Sequence, residues 1–298
     1  MSLLRSAPFL RAYHLFPHRA INRLARRVAR ARRPRRLIQA LMRLWVRHDQ
    51  IRLDDCAVSD LAQFTSLEDF FLRSLRPDAR PIDPAGIAAP VDGRLIAAGT
   101  LQADTCLVVK GHPLSFARVV NGRAPTDPLP LDAYVGGAYA VLFLSPRGYH
   151  RIHAPVSGHL VDVRWVGGRF FPQNEQALAQ IPGVYERNER AVVRVRAGGA
   201  TDLLLVLVGA SVVGGIELEG HGRADWVGPA PFAVGRLYAR GAELGHFTFG
   251  STVIVFAPAG AAGDLVPALG TDVRMGQRLW NDPPREELES AKSTGKMP

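Results

Sequence analysis

Short apolar runs separated by turn-forming residues fill the chain from Ala88 onward, and this pattern restricts the fold more than any other feature. The runs are rich in Val, Leu and Ile, and Gly, Pro and Asp stand between them. Such spacing is typical of β-strands joined by tight turns. Together with helical periodicity nearer the N-terminus, it predicts an α+β protein with a mostly β body and N-terminal amphipathic helices.

The longest apolar stretch runs from Leu203 to Ile216. It has 14 residues and contains Gly209, Ser211 and Gly214, whereas a transmembrane helix needs roughly 20 predominantly apolar residues. We interpret the stretch as two buried strands joined by a bend of small residues.

A weak internal repeat lies in the β-rich region. Residues 89–95 (APVDGRL) match residues 154–160 (APVSGHL) at five of seven positions. A Pro-Val-x-Gly turn that leads into a strand twice predicts a duplicated β unit. Glycine turns at residues 240–245 and 274–277 are similar to those of barrel-sandwich hybrid folds, such as lipoyl domains. We therefore expect a body of that hybrid-like kind.

The positive charge of the chain is concentrated at its N-terminus. Residues 1–50 contain thirteen arginines, no lysine and one acidic residue, Asp49, which gives a net charge of +12. Because the whole chain carries +10, the remaining 248 residues carry −2. A segment this basic favours an anionic partner, either nucleic acid or a membrane surface.

Two helices are predicted within this basic segment. Arginines surround an apolar stripe in each, and the stripe residues are Ile21, Leu24 and Val28 in the first and Leu37, Ile38, Leu41, Met42 and Trp45 in the second. Basic amphipathic helices of this kind can lie in the headgroup layer of an anionic membrane. Because aromatic interleaving and a nucleic-acid motif are both missing, we expect no nucleic-acid partner. The alternative is a helical pair packed on the body with solvated arginines.

Cys56 and Cys106 are the only cysteines. Two cysteines make neither a disulfide framework nor a zinc site of the usual spacing. We therefore expect two separate thiols and no metal site.

Gly250-Ser251-Thr252 stands directly before an apolar run. Because glycine has no Cβ, its carbonyl is open to attack and its peptide can adopt a strained conformation. Attack by the Ser251 hydroxyl would convert the amide to an ester by an N-to-O acyl shift. Elimination across the serine Cα–Cβ bond would free a chain that ends at Gly250, and hydrolysis of the remaining dehydroalanine would release ammonia and leave a pyruvoyl group. By itself, however, such a tripeptide is more often a plain strand-entry turn.

Two further segments supply the groups that could activate this hydroxyl. Pro90-Val91-Asp92-Gly93 places a carboxylate on a tight turn, and residues 149–153 (YHRIH) carry two imidazoles, His150 and His153. An Asp, a His and a Ser are the parts needed for an activated nucleophile. Sequence spacing leaves open whether the three meet in space.

Taken together, these segments resemble the bacterial phosphatidylserine decarboxylase family. The most specific pieces are residues 149–153 and Gly250-Ser251-Thr252. Other matching pieces occur in family order, namely residues 70–73, 75–76, 80–82, 90–93, 110–112, 144–146, 188–190, 208–210, 213–214 and 245–247. The resemblance covers most of the chain.

The resemblance implies a role for each candidate residue. Ser251 is expected to be the nucleophile of self-cleavage between Gly250 and Ser251 and the precursor of a covalent pyruvoyl cofactor. His153 is similar to the family's general base and Asp92 to its partner, and His150 aligns with a histidine that handles substrate or proton during decarboxylation. Cleavage would yield a long chain of residues 1–250 and a short chain of residues 251–298, which stay associated. Whether they form a homo-oligomer is left open.

The implied reaction is the decarboxylation of phosphatidylserine to phosphatidylethanolamine through a Schiff base to the pyruvoyl group, without metal or pyridoxal phosphate. We expect residues 1–60 to be membrane-associating helices and residues 61–298 to be the catalytic domain, peripheral on the cytoplasmic face of the cytoplasmic membrane. Two alternatives remain. One is a pyruvoyl-dependent decarboxylase of a soluble amino acid, and the other is a non-enzymatic hybrid-fold carrier or binding module.

Overall fold

A computed structural model describes residues 17–102, 106–197, 202–211, 215–218, 235–248 and 251–284. The described residues form six α-helices, which are α1 (His18–Arg30), α2 (Arg35–Asp49), α3 (Leu67–Phe71), α4 (Phe116–Asn121), α5 (Glu175–Gln180) and α6 (Val184–Arg187). Short 3-10 turns occur at Leu61–Gln63 and Asp132–Tyr134. The remaining regular structure is β.

The strands are β1 (Ile87–Ala88), β2 (Gly93–Thr100), β3 (Cys106–Val109), β4 (His112–Ser115), β5 (Ala138–Leu144), β6 (Arg151–His153), β7 (Gly158–Val166), β8 (Arg190–Ala197), β9 (Asp202–Gly209), β10 (Ile216–Leu218), β11 (Leu237–Tyr238), β12 (Glu243–Phe247), β13 (Ser251–Ala257), β14 (Asp272–Val273) and β15 (Arg278–Trp280). Eight of them form one antiparallel sheet in the order β11-β7-β8-β9-β13-β5-β2-β14. A second sheet has the order β10-β12-β6, and β1-β15 and β3-β4 are two-stranded. The predicted α+β class, with a mostly β body and N-terminal helices, is confirmed.

The central strands of the large sheet are buried on both faces. In β13, Val253 and Val255 enter one core, while Ile254 and Phe256 enter another, because successive side chains of a strand point to opposite faces. The first core also contains Phe247 of the three-stranded sheet, and the second contains residues of α4 and α6. Burial on both faces explains why these strands are continuously apolar rather than alternating.

The duplicated β unit predicted from the repeat is confirmed. Residues 89–95 lead into β2 and residues 154–160 lead into β7, and the pairing register shifts after Leu95 in β2 and after Leu160 in β7. Each of these strands pairs with a two-residue edge strand, β14 beside β2 and β11 beside β7. The two halves of the large sheet therefore have corresponding edges.

The glycine turn after each edge strand also corresponds. Gly276 donates its N–H to the Ala89 carbonyl at 3.0 Å, and Gly241 donates its N–H to the Ala154 carbonyl at 2.8 Å. Both glycines have positive φ, +85° and +79°, and a Cβ on either would lie within 2.8 Å of the Ile82 side chain. Glycine is required at both turns because a side chain would be strained and would clash.

Helix α2 divides the apolar stripe that the sequence predicts for it. Ile38 and Met42 are buried in a third core that also contains Phe64 and Phe70. Trp45 contacts the Phe70 ring, with 5.6 Å between ring centroids, and stacks on the Phe71 ring, with 6.0 Å between ring centroids. This part of the stripe packs on the body, as the alternative interpretation of the helices expected.

The rest of the stripe remains at the surface. Leu37 and Leu41 are 54% and 38% exposed, and Leu44 on the same helix is 64% exposed. Leu24 and Val28 of α1 are also exposed. No helix in the described ranges is long and apolar enough to cross a membrane.

The buried and exposed faces of α2 can be separated by mutation. Met42→Ala should destabilise the docking of α2 by about 2–5 kcal/mol, because it removes a fully buried side chain and leaves a cavity. The measurement is the rate of tryptic cleavage at the arginines of α2, together with urea unfolding. Leu44→Ala is the matched control and should change stability by less than about 0.5 kcal/mol. Equal effects of the two changes would contradict this packing.

Candidate active site

Three neighbouring strands of the large sheet leave it together and continue into the three-stranded sheet. β9, β13 and β5 are adjacent in the first sheet, and β10, β12 and β6 are adjacent in the same order in the second. Residues 210–215, 248–250 and 145–150 connect them, and we call these segments the strand crossing. Phe247 and Thr248 lie between the other two segments, because Phe247 donates its N–H to the His150 carbonyl and Thr248 donates its N–H to the Gly215 carbonyl, both at 2.9 Å.

The strand crossing contains the predicted cleavage site. Ser251 is the first residue of β13 and pairs with Leu144 on one side and Gly209 on the other. Gly250, the other half of the predicted scissile bond, lies outside the described residues. The sequence prediction that a Gly-Ser-Thr segment leads directly into a strand is confirmed for Ser251 and Thr252.

The Ser251 hydroxyl is buried without a hydrogen bond. The residue is fully buried, and its Oγ has no hydrogen-bond partner among the residues that the structure describes. A buried polar group left unpaired costs about 1–3 kcal/mol. Its position in the strand places the side chain on the face of Val253 and Val255, toward the three-stranded sheet. Such an unpaired group marks a candidate functional position.

A cavity of about 520 Å³ reaches Ser251. Segments of the strand crossing form one wall, and the C-terminal end of α2 forms another. The lining includes His48, Asp49, Ser145, Arg147, Gln173 and Ser211 as well as Ser251. A cavity of this size can hold a small polar group and its linker.

His150 is an uncharged, fully buried imidazole. It packs against Phe71, with 4.0 Å between ring centroids. Burial lowers the pKa of His150 to about 3, although a hydrogen bond to the Gly148 carbonyl opposes the shift. Because that carbonyl can only accept, Nδ1 carries the proton and donates at 3.2 Å. Nε2 therefore bears a lone pair, and it has no partner within the described part of the chain.

His153 has both ring nitrogens engaged. Its Nδ1 donates to the Gly241 carbonyl at 2.8 Å, so its Nε2 accepts from the Tyr149 hydroxyl at 2.9 Å. Burial lowers the pKa of His153, although the Gly241 carbonyl opposes the shift. Burial also raises the pKa of Tyr149, which keeps the phenol protonated as a donor.

Asp92 forms a bidentate ion pair with Arg80. The Arg80 guanidinium donates to the two carboxylate oxygens from Nε at 3.0 and 3.2 Å and from Nη2 at 2.6 Å. The same guanidinium donates to Asp55 at 2.8 Å. Burial lowers the pKa of Arg80, but the hydrogen bonds that its guanidinium donates to these carboxylates outweigh this effect, and the net shift of the pKa is upward. The charge of Asp92 is therefore well compensated.

Part of the role of Asp92 follows from the internal repeat. Its Oδ1 accepts the N–H of Met275 at 2.8 Å. Ser157, which occupies the corresponding position in the second copy, accepts the N–H of Arg240 at 3.0 Å. Both side chains thus fasten a strand-entry turn to the neighbouring glycine turn. The negative charge and the Arg80 partner distinguish Asp92 from Ser157.

The structure brings Asp92 and His153 together but joins neither directly to Ser251. The His153 N–H donates to the Pro90 carbonyl at 2.9 Å, so the Asp92 turn lies against β6. Among the described residues, no hydrogen bond connects the side chains of Asp92 and His153 or of His153 and Ser251. His150 and Ser251 are at the edges of the same crossing, and each has one unpaired polar atom.

Sequence reasoning missed the buried amides beside Ser251. The Thr252 hydroxyl donates to Gln173 Oε1 at 2.7 Å, and Gln173 Nε2 donates to the Gly209 carbonyl at 2.9 Å. Asn188 Nδ2 donates to the same carbonyl at 2.9 Å. Because Gly209 and Thr252 adjoin Ser251, these amides fix the backbone around it. Asn188 lies in a quoted family segment, whereas nothing in the sequence singled out Gln173.

A buried hydroxyl that borders a cavity and has no partner among the described residues marks a candidate active site, and an uncharged histidine belongs to the same strand crossing. The family model described as phosphatidylserine decarboxylase matches residues 67–281. The chain therefore belongs to the phosphatidylserine decarboxylase family, and it is an enzyme of that family. This membership does not support the interpretation of the chain as a non-enzymatic carrier.

Individual relatives carry the name phosphatidylserine decarboxylase proenzyme. The protein from Methylibium petroleiphilum is 36% identical over 259 residues, which cover 83% of this chain and 88% of that protein. The protein from Pseudomonas putida strain GB-1 is 33% identical over 291 residues, 93% of this chain and 98% of that protein. The protein from Bordetella pertussis is 34% identical over 286 residues, 91% and 93% of the two chains.

The buried state of His150 makes stability depend on pH. The unfolded chain binds a proton on this residue below about pH 6.5, whereas the folded chain does so only near the lowered pKa of about 3. This contribution is present above about pH 6.5 and is lost as the pH falls toward 3.

We expect His150→Gln to make the acid-side fall in the free energy of unfolding shallower by up to about 1.4 kcal/mol per pH unit. Some slope will remain, because the pKa of His153 is lowered too. Nitrogen NMR of the imidazoles provides the direct check, and His150 should remain neutral at pH 5. A titration midpoint of His150 near 6.5 would exclude the burial described here.

Proposed function

We propose that this chain decarboxylates phosphatidylserine to phosphatidylethanolamine, with a pyruvoyl group made from Ser251 by cleavage of the Gly250–Ser251 bond. The main support for this proposal is the Ser251 hydroxyl. It is buried at the start of a strand and beside a cavity, and it has no hydrogen-bond partner in the described part of the chain. The name proenzyme among the relatives also supports processing of the chain.

The surroundings of Ser251 suit a pyruvoyl group. Conversion of Ser251 would break no hydrogen bond of its hydroxyl to the described residues. The neighbouring Gly209 carbonyl is fixed by hydrogen bonds from Gln173 and Asn188. When formed, the group supplies an electrophilic carbonyl that can accept the electron pair left by carbon dioxide. The protein supplies a paired strand on each side of that position, through Leu144 and Gly209, and a cavity for the headgroup.

In the cleavage step, the Ser251 Oγ would attack the Gly250 carbonyl carbon, and the C–N bond would break to leave an ester. By the family resemblance, His153 is the base that takes the hydroxyl proton, and Asp92 supports it electrostatically. Its Nε2 has a lone pair but accepts from Tyr149. Proton transfer from Ser251 therefore requires that the Tyr149 hydroxyl leave this nitrogen.

In decarboxylation, we assign the contact with substrate or proton to His150, which belongs to the same segment of the strand crossing as the cavity residues Ser145 and Arg147. Its neutral imidazole and the Phe71 ring make an apolar environment, which disfavours a substrate carboxylate relative to released carbon dioxide. The lone pair on Nε2 can accept a hydrogen bond from the substrate or receive a proton. This division gives His153 the cleavage and His150 the lipid reaction.

The membrane surface is the third part of the proposal. Leu37, Leu41 and Leu44 lie on one face of α2, and His48, the next residue on that face, lines the cavity at Ser251. The arginines exposed around this face are Arg27, Arg32, Arg33, Arg36, Arg43 and Arg47. The occupant that fits both features is an anionic leaflet, to which each arginine adds about 1 kcal/mol. We place the enzyme peripherally on the cytoplasmic face of the cytoplasmic membrane.

Intact mass spectrometry tests the cleavage. Wild-type protein should separate into residues 1–250 and a blocked chain from residue 251, and Ser251→Ala should stay whole. Ser157→Ala, an exposed serine in the corresponding turn of the repeat, is the control and should be cleaved. His153→Asn should accumulate the uncleaved chain, whereas His150→Asn should be cleaved yet release no carbon dioxide. A whole wild-type chain that is fully active would refute the pyruvoyl proposal.

Vesicle flotation tests the membrane surface. The combined change of Leu37, Leu41 and Leu44 to Ser should weaken binding to vesicles of phosphatidylglycerol and phosphatidylethanolamine at least about tenfold, because insertion of each leucine contributes up to about 1.5–3 kcal/mol. The control changes Leu237, Val266 and Leu269 to Ser, which are similarly exposed on the body. Equal loss in both variants would count against α2. Turnover of free serine without vesicles would favour the soluble alternative.

A further inference from the structure

The cavity at Ser251 has one strongly basic side chain in its described lining, that of Arg147. Arg147 is exposed, and its guanidinium forms no hydrogen bond or ion pair with the residues that the structure describes. Many other arginines of the body are paired, as Arg80 is with Asp92 and Arg278 is with Asp83. Arg147 lies beside a cavity and has no partner among the described residues, so its guanidinium is available to an anionic ligand.

The other charged groups of the lining are already satisfied. Asp49 accepts from His48 Nδ1 at 2.7 Å through one carboxylate oxygen and from Trp45 Nε1 at 2.8 Å through the other. These contacts occupy both oxygens of the one carboxylate in the described lining. Asp49 thus has its own partners, and no ion pair joins it to Arg147 in the described part of the chain.

The backbone that carries Arg147 is held in place from inside the protein. Arg73, only 5% exposed, donates from one Nη2 to the Arg147 carbonyl at 2.7 Å and to the Gly148 carbonyl at 2.9 Å. The Gly148 carbonyl also accepts from His150 Nδ1. The segment that brings Arg147 into the cavity lining is thus tied to the buried side chains of Arg73 and His150. A ligand contact made by Arg147 would be preorganised in its backbone.

We propose that Arg147 binds the phosphodiester of the substrate headgroup at the mouth of this cavity. The inference rests on the proposed function and adds the group that recognises the phosphate. In a serine phosphodiester the phosphate lies only a few bonds from the reacting α-carbon, so a cation is needed near the reacting site but outside its apolar wall. Arg147 meets this requirement, because it is exposed and lines the cavity that reaches Ser251. A guanidinium suits a phosphodiester because it can donate two parallel hydrogen bonds.

The competing explanation is that Arg147 only adds to the basic membrane surface. The two explanations differ in water-soluble ligands, where no membrane is present. They also differ in what they predict for other exposed arginines. A general surface effect should appear at any of them, whereas phosphate binding at the cavity should be lost only with Arg147. Arg123, an exposed arginine of the body that is absent from the described cavity lining, is the matched control.

The first experiment measures binding by calorimetry in the full-length Ser251→Ala protein, which cannot be processed. The probes are glycerophosphoserine, which has a phosphodiester, and O-methylserine, which lacks one. Arg147→Ala should weaken glycerophosphoserine binding about tenfold or more, since charge-assisted hydrogen bonds are the strong ones. Binding of O-methylserine should be unchanged, Arg147→Lys should restore part of the affinity, and Arg123→Ala should have no effect.

The second experiment measures carbon dioxide release by the cleaved enzyme from dihexanoyl phosphatidylserine below its micelle concentration. Arg147→Ala should raise KM about tenfold or more with little change in kcat, and mass spectrometry should find complete cleavage. Equal behaviour of Arg147→Ala and Arg123→Ala in both experiments would overturn the proposal, as would an Arg147→Ala protein that loses both probes equally. If the wild-type enzyme releases no carbon dioxide, the proposed function fails, and the calorimetry still decides the role of Arg147.

Discussion

The backbone pairing of β13 on both sides is the constraint on which the site depends. Ser251 begins this strand between Leu144 and Gly209, and within a few residues the chain has crossed to another sheet in which β12 again has a neighbour on each side. The segment between them must change sheets while both ends are held by ladders. The backbone of Phe247 and that of Ser251, the ends of this connection within β12 and β13, are therefore each fixed by a neighbour on both sides.

Burial sets the chemistry of the imidazoles that surround the crossing. Removing His150 from water favours its neutral form and lowers its pKa to about 3, and the same cause lowers the pKa of His153. Charge is instead kept in the Arg80–Asp92 pair, where the guanidinium satisfies both carboxylate oxygens. The paired charges of Arg80 and Asp92 are thus separate from the two neutral imidazoles, of which His150 lies in the strand crossing and His153 in the adjoining strand β6. This separation is consistent with a reaction that starts from a carboxylate and ends with an uncharged gas.

Much of the body could be predicted from the sequence because its signals are local. Turn residues between apolar runs mark the strands, and the repeat at residues 89–95 and 154–160 identifies two strands with equivalent register shifts. The candidate residues of the site could be selected only through the family resemblance. Their contacts could not be predicted, since the pairing of Asp92 with Arg80 and of His153 with Tyr149 depends on which turns meet after folding.

The stripe of α2 illustrates the same limit in physical terms. Helical periodicity places Leu37, Ile38, Leu41 and Met42 on a broad apolar face, but it cannot divide that face between a core and a surface. The structure buries Ile38 and Met42 against Phe64 and Phe70 and leaves Leu37 and Leu41 outside.

In the proposed membrane docking, this division would let one helix be anchored to the body and still present leucines outward. A peripheral enzyme needs both properties at once. A membrane contact that was not rigidly joined to the body would not orient the cavity toward the headgroups. The link is short here, since the helix that presents Leu44 ends at His48 and Asp49 in the cavity wall. Insertion of the leucines into a leaflet would therefore set the depth and direction at which a headgroup reaches Ser251.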